Sequence, residues 1–170
     1  MIGERPIDLH ISSLQKMGVE FREEQGLLYA KAKCLHGADI TLPIASVGTT
    51  ENIILAAVAA EGDTGITGAA KEPEVEALCR YLELCGAQID GIGTSNLVIK
   101  GGRKLYGADY RVPEDRIVAG TYLFGAMVTR GCVFLENAPV QQMQEVLKVA
   151  QEMGTKCDVT PHGIYVQAPK

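Results

Sequence analysis

The feature that most constrains this chain is that it repeats itself. Gly37-Ala38-Asp39-Ile40-Thr41-Leu42-Pro43 returns seventy positions later as Gly107-Ala108-Asp109-Tyr110-Arg111-Val112-Pro113, identical at four of the seven positions. Self-similarity at a fixed spacing means one supersecondary unit used more than once. After each proline comes a helix-length run, Ser46 to Glu61 and Asp115 to Arg130, closing at Gly62 or Gly131, where a left-handed stop is least costly. Strand candidates Asp63 to Thr67 and Cys132 to Glu136 follow.

A second helical segment comes next in each copy. Val75, Leu78, Cys79 and Leu82 form an apolar stripe in one, and Val140, Met143, Val146, Leu147 and Ala150 form it in the other. Both end in the same register at a glycine, Gly86 and Gly154, and Leu14-Gln15-Lys16-Met17-Gly18 is a third occurrence of that ending. Beyond each glycine lie two short strand candidates joined by a turn: Val19 to Arg22 with Leu27 to Ala30, Ala87 to Asp90 with Asn96 to Lys100, and Thr155 to Val159 with Gly163 to Val166. The expected unit is strand, helix, strand, helix, strand, strand (βαβαββ). Residues 1–36 hold the second half of one unit, 37–106 a complete unit, and 107–170 another. The fold class is α/β (α+β), with helices burying their stripes against sheet faces.

Composition narrows the function. A net charge of −5 offers no clustered basic surface for a polyanion, so a nucleic-acid role is not expected. Cys34, Cys79, Cys85, Cys132 and Cys157 show no paired metal-ligand spacing and read as reduced core residues, with no metal and no cofactor expected. No leader-like segment is recognisable, and the apolar run from Ile53 to Ala60 is too short to span a bilayer. A cytoplasmic protein without a membrane role is expected.

Four motifs could carry chemistry. Arg5-Pro6-Ile7-Asp8-Leu9-His10 reads as a helix start, with Pro suited to the first helical position and Asp8 to its positive end. A guanidinium beside free backbone N–H groups could contact a carboxylate or phosphate, or the segment could be a solvated helix start and nothing more. Ser46-Val47-Gly48, within the run Ala45 to Asn52, sets a capping serine before a glycine that lets a ligand approach the backbone. It suits a phosphate, or is an ordinary cap. Glu72 and Glu74 flank Pro73 at the next helix start, where negative charge is stabilising in itself and could also do acid/base work. Asp115, followed by Arg116, is in register with Ser46 and could be an N-cap or an interdomain ion-pair partner.

Taken together and in this order, the RPxDLH, SVGxTEN, EPE and PxDRIxxGTxL runs resemble the enolpyruvyl transferase family, and within it the branch acting on UDP-N-acetylglucosamine. The similarity extends over essentially the whole chain. The shikimate-phosphate branch shares the architecture without RPxDLH and SVGxT in this form. The resemblance implies an inside-out α/β barrel of six βαβαββ units, three in each of two domains. It implies transfer of enolpyruvyl from phosphoenolpyruvate to UDP-N-acetylglucosamine, the first committed step of peptidoglycan synthesis. Arg5 to Leu9 then resembles the segment lining the nucleotide-sugar site, and Ser46, Val47 and Gly48 resemble the helix start that receives the diphosphate. Asp115 and Arg116 fall near the crossover between domains.

Two departures matter. Many relatives carry a Lys where this chain has Ile44. The family's reactive Cys or Asp would precede Met1, and the general-base aspartate and most phosphoenolpyruvate-binding cations would lie in segments absent from these residues. The expectation is therefore a fragment, inactive alone. The alternative is a non-catalytic UDP-sugar-binding or self-associating module, since faces intended for missing units would favour self-association.

Overall fold

A computed structural model describes residues 6–169, which divide into two compact units, the first ending at Tyr110 and the second beginning at Arg111. The first opens with helix α1 (Asp8–Lys16) and a hairpin of β1 (Glu20–Glu24) and β2 (Leu27–Lys31). It continues through β3 (Asp39–Thr41), α2 (Val47–Ala59), β4 (Asp63–Thr67), α3 (Pro73–Leu84), β5 (Gln88–Asp90) and β6 (Asn96–Lys100). The last four strands form one sheet in the order β3-β4-β6-β5. β3 and β4 run parallel, pairing Ile40 with Ile66, and both other pairings are antiparallel.

The core of this unit follows from alternation and helical spacing. Ile66 on β4, Leu97 and Ile99 on β6 and Ile89 on β5 point to one sheet face and are buried. Onto that face α2 lays Thr50, Ile53, Ile54, Ala57 and Val58, and α3 lays Val75, Cys79 and Leu82, all buried. Each large aliphatic side chain removed from water in this way contributes about 1.5–3 kcal/mol. The stripe expected on α3 is thus the one observed, with Leu78 packed at its margin.

The second unit consists of α4 (Arg116–Val128), β7 (Cys132–Glu136), a 3₁₀ turn (Val140–Met143), α5 (Gln144–Glu152), β8 (Lys156–Thr160) and β9 (Gly163–Gln167). Its three strands are ordered β7-β9-β8, all antiparallel. Leu123, Met143, Leu147, Ala150, Ile164 and Val166 make its core.

Three expectations are corrected here. The run from Gly107 to Pro113 is not a strand, so the second unit lacks the element that β3 supplies in the first. The Tyr106 N–H donates to the Cys85 carbonyl, and the Tyr110 ring lies 5.6 Å from that of Tyr81 on α3. The run up to Tyr110 is therefore held within the first unit. Val140 and Met143 belong to the 3₁₀ turn rather than to the helix: the Gln142 N–H donates to the Pro139 carbonyl three residues back at 2.9 Å, and α5 begins only at Gln144. The left-handed residue after α4 is Arg130 (φ 53°), not Gly131, and α2 already leaves the helical region at Ala60. The other three glycine stops are as expected, at Gly18, Gly86 and Gly154, with φ of 94°, 105° and 88°.

The cysteines also divide. Cys79, Cys85 and Cys157 are buried and free, whereas Cys34 and Cys132 are exposed. Burial, followed by the nearby Glu83 carboxylate, pushes the Cys79 thiol up to about 11, so it stays protonated at neutral pH.

Gly68 closes β4 with φ of 81°, and a side-chain Cβ there would fall inside contact distance of the Leu42 carbonyl oxygen. Gly68→Ala combines left-handed strain with a backbone clash, and it is expected to cost at least about 1–3 kcal/mol. A lowered midpoint in guanidinium chloride unfolding checks this, while an unchanged midpoint would show that the loop moves aside freely.

Candidate functional site

Because β3 and β4 are parallel, the helices that follow them, α2 and α3, both begin at the same edge of the sheet. Such an edge, at the carboxyl ends of parallel strands, is where helix N-termini can meet a ligand. Three of the four motifs named from sequence are found along it.

The α2 start is built on Ser46, whose extended backbone (φ −129°, ψ 117°) makes it the N-cap. Its Oγ accepts from the Thr49 N–H at 3.4 Å and donates to Thr49 Oγ1 at 3.0 Å. The Thr50 N–H donates to the Ser46 carbonyl at 2.9 Å. Among the described residues no acceptor takes the N–H of Val47 or Gly48, and Gly48 is exposed. Two backbone donors at the positive end of a thirteen-residue helix are thus left for water or an anion. Ile44, two residues before the cap, is 70% exposed, so an apolar side chain faces solvent where the resemblance anticipates a cation.

α1 packs on α2 and brings the first motif to the same place. Arg5 lies outside the described residues. Pro6 and Ile7 precede the helix and are exposed, while Asp8 and Leu9 are its first two residues. Pro6 was expected at the first helical position and instead stands two residues before it. The cap is Ile7, which has no side-chain acceptor and a backbone outside the helical region (φ −113°, ψ 10°), so the helix begins only at Asp8. The link between the motifs is direct: the Asn52 Nδ2 donates to His10 Nδ1 at 2.7 Å. The His10 ring also covers Gly48, with Cε1 3.5 Å from where a Cβ would stand.

The third motif is tied in from below. The Ala70 N–H donates to Thr50 Oγ1 at 3.1 Å in a buried hydrogen bond, and Gly68 and Ala69 both donate to the Ser95 carbonyl. This fixes the loop that leads into α3. Pro73 holds the first helical position there, Glu72 is the N-cap without making a side-chain capping bond, and Glu74 is in the first turn. Both carboxylates thus stand at a helix start, as expected, where negative charge is stabilising.

The fourth motif stands in the second unit. Asp115 caps α4, its Oδ1 accepting from the N–H groups of Ile117 at 2.7 Å and Val118 at 3.1 Å, with Arg116 the first helical residue. Arg111 pairs with Glu114 at 2.7 Å, and a backbone N–H, followed by that guanidinium, holds the Glu114 carboxyl below its usual range. A groove of about 470 Å³ lies within this unit, lined by the cap Asp115, Val118 and Tyr122 of α4, and Val133, Phe134 and Leu135 of β7. It is mostly apolar and opens beside β7, the edge that no strand covers among the described residues. Among the described residues no cluster of His, Cys, Asp or Glu could hold a metal ion.

Sequence reasoning missed the two contacts that join the motifs. His10 and Asn52 both stand inside quoted runs, yet their pairing spans 42 positions and has no local signature. Thr50 looks like an ordinary first-turn residue until Ala70 is placed against it.

The comparisons with known proteins decide the family. The model of EPSP synthase (3-phosphoshikimate 1-carboxyvinyltransferase) matches residues 1–170. The chain belongs to this family. Among similar proteins are the UDP-N-acetylglucosamine 1-carboxyvinyltransferases of Hydrogenovibrio crunogenus, 47% identical over 163 residues, and Zymomonas mobilis, 47% identical over 169. These matches take in 96% and 98% of this chain but 39% and 40% of the relatives. The chain thus spans about two-fifths of the length of the curated relatives it matches. An EPSP synthase from Acinetobacter baumannii superposes with a TM-score of 0.65 at 26% identity, covering 96% of this chain and 40% of its own. The enolpyruvyl transferase NikO from Streptomyces tendae superposes with a TM-score of 0.77 at 17% identity, covering 98% of this chain and 43% of its own, which shows a shared fold.

Thr50→Val keeps the shape of the side chain and removes the acceptor for the buried Ala70 N–H. Leaving that donor unsatisfied is expected to cost about 1–3 kcal/mol. Amide hydrogen exchange checks it: Ala70 should exchange faster in the variant, while protection unchanged from the wild-type chain would mean another acceptor takes the bond.

Proposed function

We propose that these residues are the part of a UDP-N-acetylglucosamine enolpyruvyl transferase that grips the nucleotide sugar, with Pro6 to Leu9 lining the sugar nucleotide and Ser46, Val47 and Gly48 receiving its diphosphate. The observation that carries this reading is the meeting of the α1 and α2 starts at one sheet edge, where two backbone N–H groups at a capped helix N-terminus have no acceptor among the described residues. The names of relatives 42–47% identical to this chain supply the substrate. Arg5 adds a bidentate cation to the same segment in this reading, and phosphoenolpyruvate is the second substrate of the whole enzyme. Five free cysteines suit a reducing cytoplasm, and no described helix is long and apolar enough to cross a membrane.

Turnover needs an acid for the alkene, a base for the sugar hydroxyl and cations to hold two anionic substrates together. The motifs at this edge supply the grip and not that set, so the chain alone is inactive in this reading. With phosphoenolpyruvate and UDP-N-acetylglucosamine it should release no phosphate above background, whereas calorimetry should detect weak binding of UDP-N-acetylglucosamine alone. Robust phosphate release overturns the inactivity, and absence of any UDP-N-acetylglucosamine binding overturns the grip.

A second reading, self-association, is favoured by one observation. On α4 the side chains of Ile117, Val118, Tyr122, Phe124 and Val128 are 40–86% exposed, an unusual density of apolar surface for a single helix. Sedimentation across a concentration range should then show mass rising with concentration, and a constant monomer mass rejects it.

A further inference from the structure

His10 carries none of the roles assigned above, and its surroundings define it closely. The ring nitrogen Nδ1 lies 2.7 Å from the Asn52 amide nitrogen. An amide NH₂ can only donate, so Nδ1 must accept, and an imidazole that accepts at Nδ1 carries its proton on Nε2. Nε2 stands on the side of the ring over Gly48, 3.8 Å from where a Cβ would be built. That is beside the α2 start, where the N–H groups of Val47 and Gly48 have no acceptor among the described residues.

We propose that Asn52 locks His10 in the Nε2–H tautomer, and that this clasp is the positioning contact that sets the Pro6–Leu9 segment against the Ser46–Gly48 helix start. Four facts support it. The α1 start lacks a side-chain cap and so has little local reason to hold one orientation. The contact spans 42 positions, so it fixes two segments rather than one turn. His10 sits one residue beyond Leu9, and Asn52 one helical turn beyond Gly48, so each partner is anchored in regular helix while the residues it aligns precede it. With Nε2–H as the remaining donor, the ring adds a third N–H to the two on the backbone, all suited to the same anion. The binding consequence rests on the function proposed above; the tautomer does not.

Imidazole nitrogen shifts in the 170-residue chain, recorded by NMR well above the ordinary histidine pKa of about 6.5, test the clasp itself. The wild-type chain should show His10 with Nε2 protonated. Asn52→Asp replaces the donor by an acceptor, so the proton should move to Nδ1. Asn52→Ala should give a mixture of the two tautomers. A wild-type His10 protonated on Nδ1, or a tautomer unmoved by Asn52→Asp, overturns the proposal.

Titration with UDP-N-acetylglucosamine then tests the positioning role. Asn52→Ala should weaken binding roughly tenfold, equivalent to about 1.4 kcal/mol, with Asn52→Gln recovering part of the loss. Asn52 is exposed, so neither variant should lower the unfolding midpoint appreciably. Unchanged affinity in Asn52→Ala overturns the positioning role even where the tautomer shifts as expected. A wild-type chain that does not bind the UDP sugar at all rejects the function proposed above together with the positioning role, and leaves the tautomer lock to be decided by the nitrogen shifts.

Discussion

The parallel pairing of β3 with β4 governs the first unit. Parallel strands must be joined by a crossover, here α2, and the strand ends from which α2 and α3 depart then lie side by side. Burial of Ile53, Ile54, Ala57 and Val58 against the sheet fixes the rotation of α2 about its axis. The exposed Gly48 and Asn52 are consequently turned to the side on which α1 packs. A hydrophobic constraint, with no polar chemistry of its own, thus decides where the polar donors at the helix start are directed.

Polar contacts then refine what burial sets. The Thr50 side chain is buried, and its hydroxyl would be costly there without a partner. It meets that requirement by accepting from Ala70, which in turn fixes the loop before Glu72 and Pro73. The His10–Asn52 contact does the same for α1 at a more exposed position. One edge is therefore assembled from three sequence-distant segments, each attached to α2 by a different hydrogen bond or cap.

Much of this was legible in the sequence because it depends on local chemistry. Ser46 and Asp115 are caps in register in both units, and Gly18, Gly86 and Gly154 stop three helices in left-handed conformations that other residues adopt at a cost. The α3 stripe follows from 3.6-residue spacing alone. The illegible parts depend on distant partners. Gly107 to Pro113 has the composition of β3, but a strand exists only when its edge is paired, and among the described residues this run pairs with no strand, its Tyr110 ring lying instead beside Tyr81 of α3. The exposure of Cys34, in the connection between β2 and β3, and of Cys132, at the start of β7, likewise depends on which surfaces other elements cover, which no local pattern encodes. At the site, the segments were readable as helix starts, whereas their meeting was not, because a contact between His10 and Asn52 leaves no periodic trace.

The two units also show what an opening strand contributes beyond pairing. In the first, Ile40 on β3 and Leu42 just beyond it join the buried core with α2, which buries Thr49, Thr50, Ile53, Ile54, Ala57 and Val58. In the second, α4 has nearly the same apolar content, yet only Gly120, Leu123 and Ala126 are buried, and a groove opens between its first turns and β7. The helix caps are equally sound in both, so capping cannot account for the difference. The missing strand can, because an edge left without a neighbour exposes both the β7 backbone and the helix side chains above it. A sequence repeat therefore guarantees the local devices of a unit, its caps and glycine stops, but a closed core also requires that each copy of the opening strand reach the sheet it resembles.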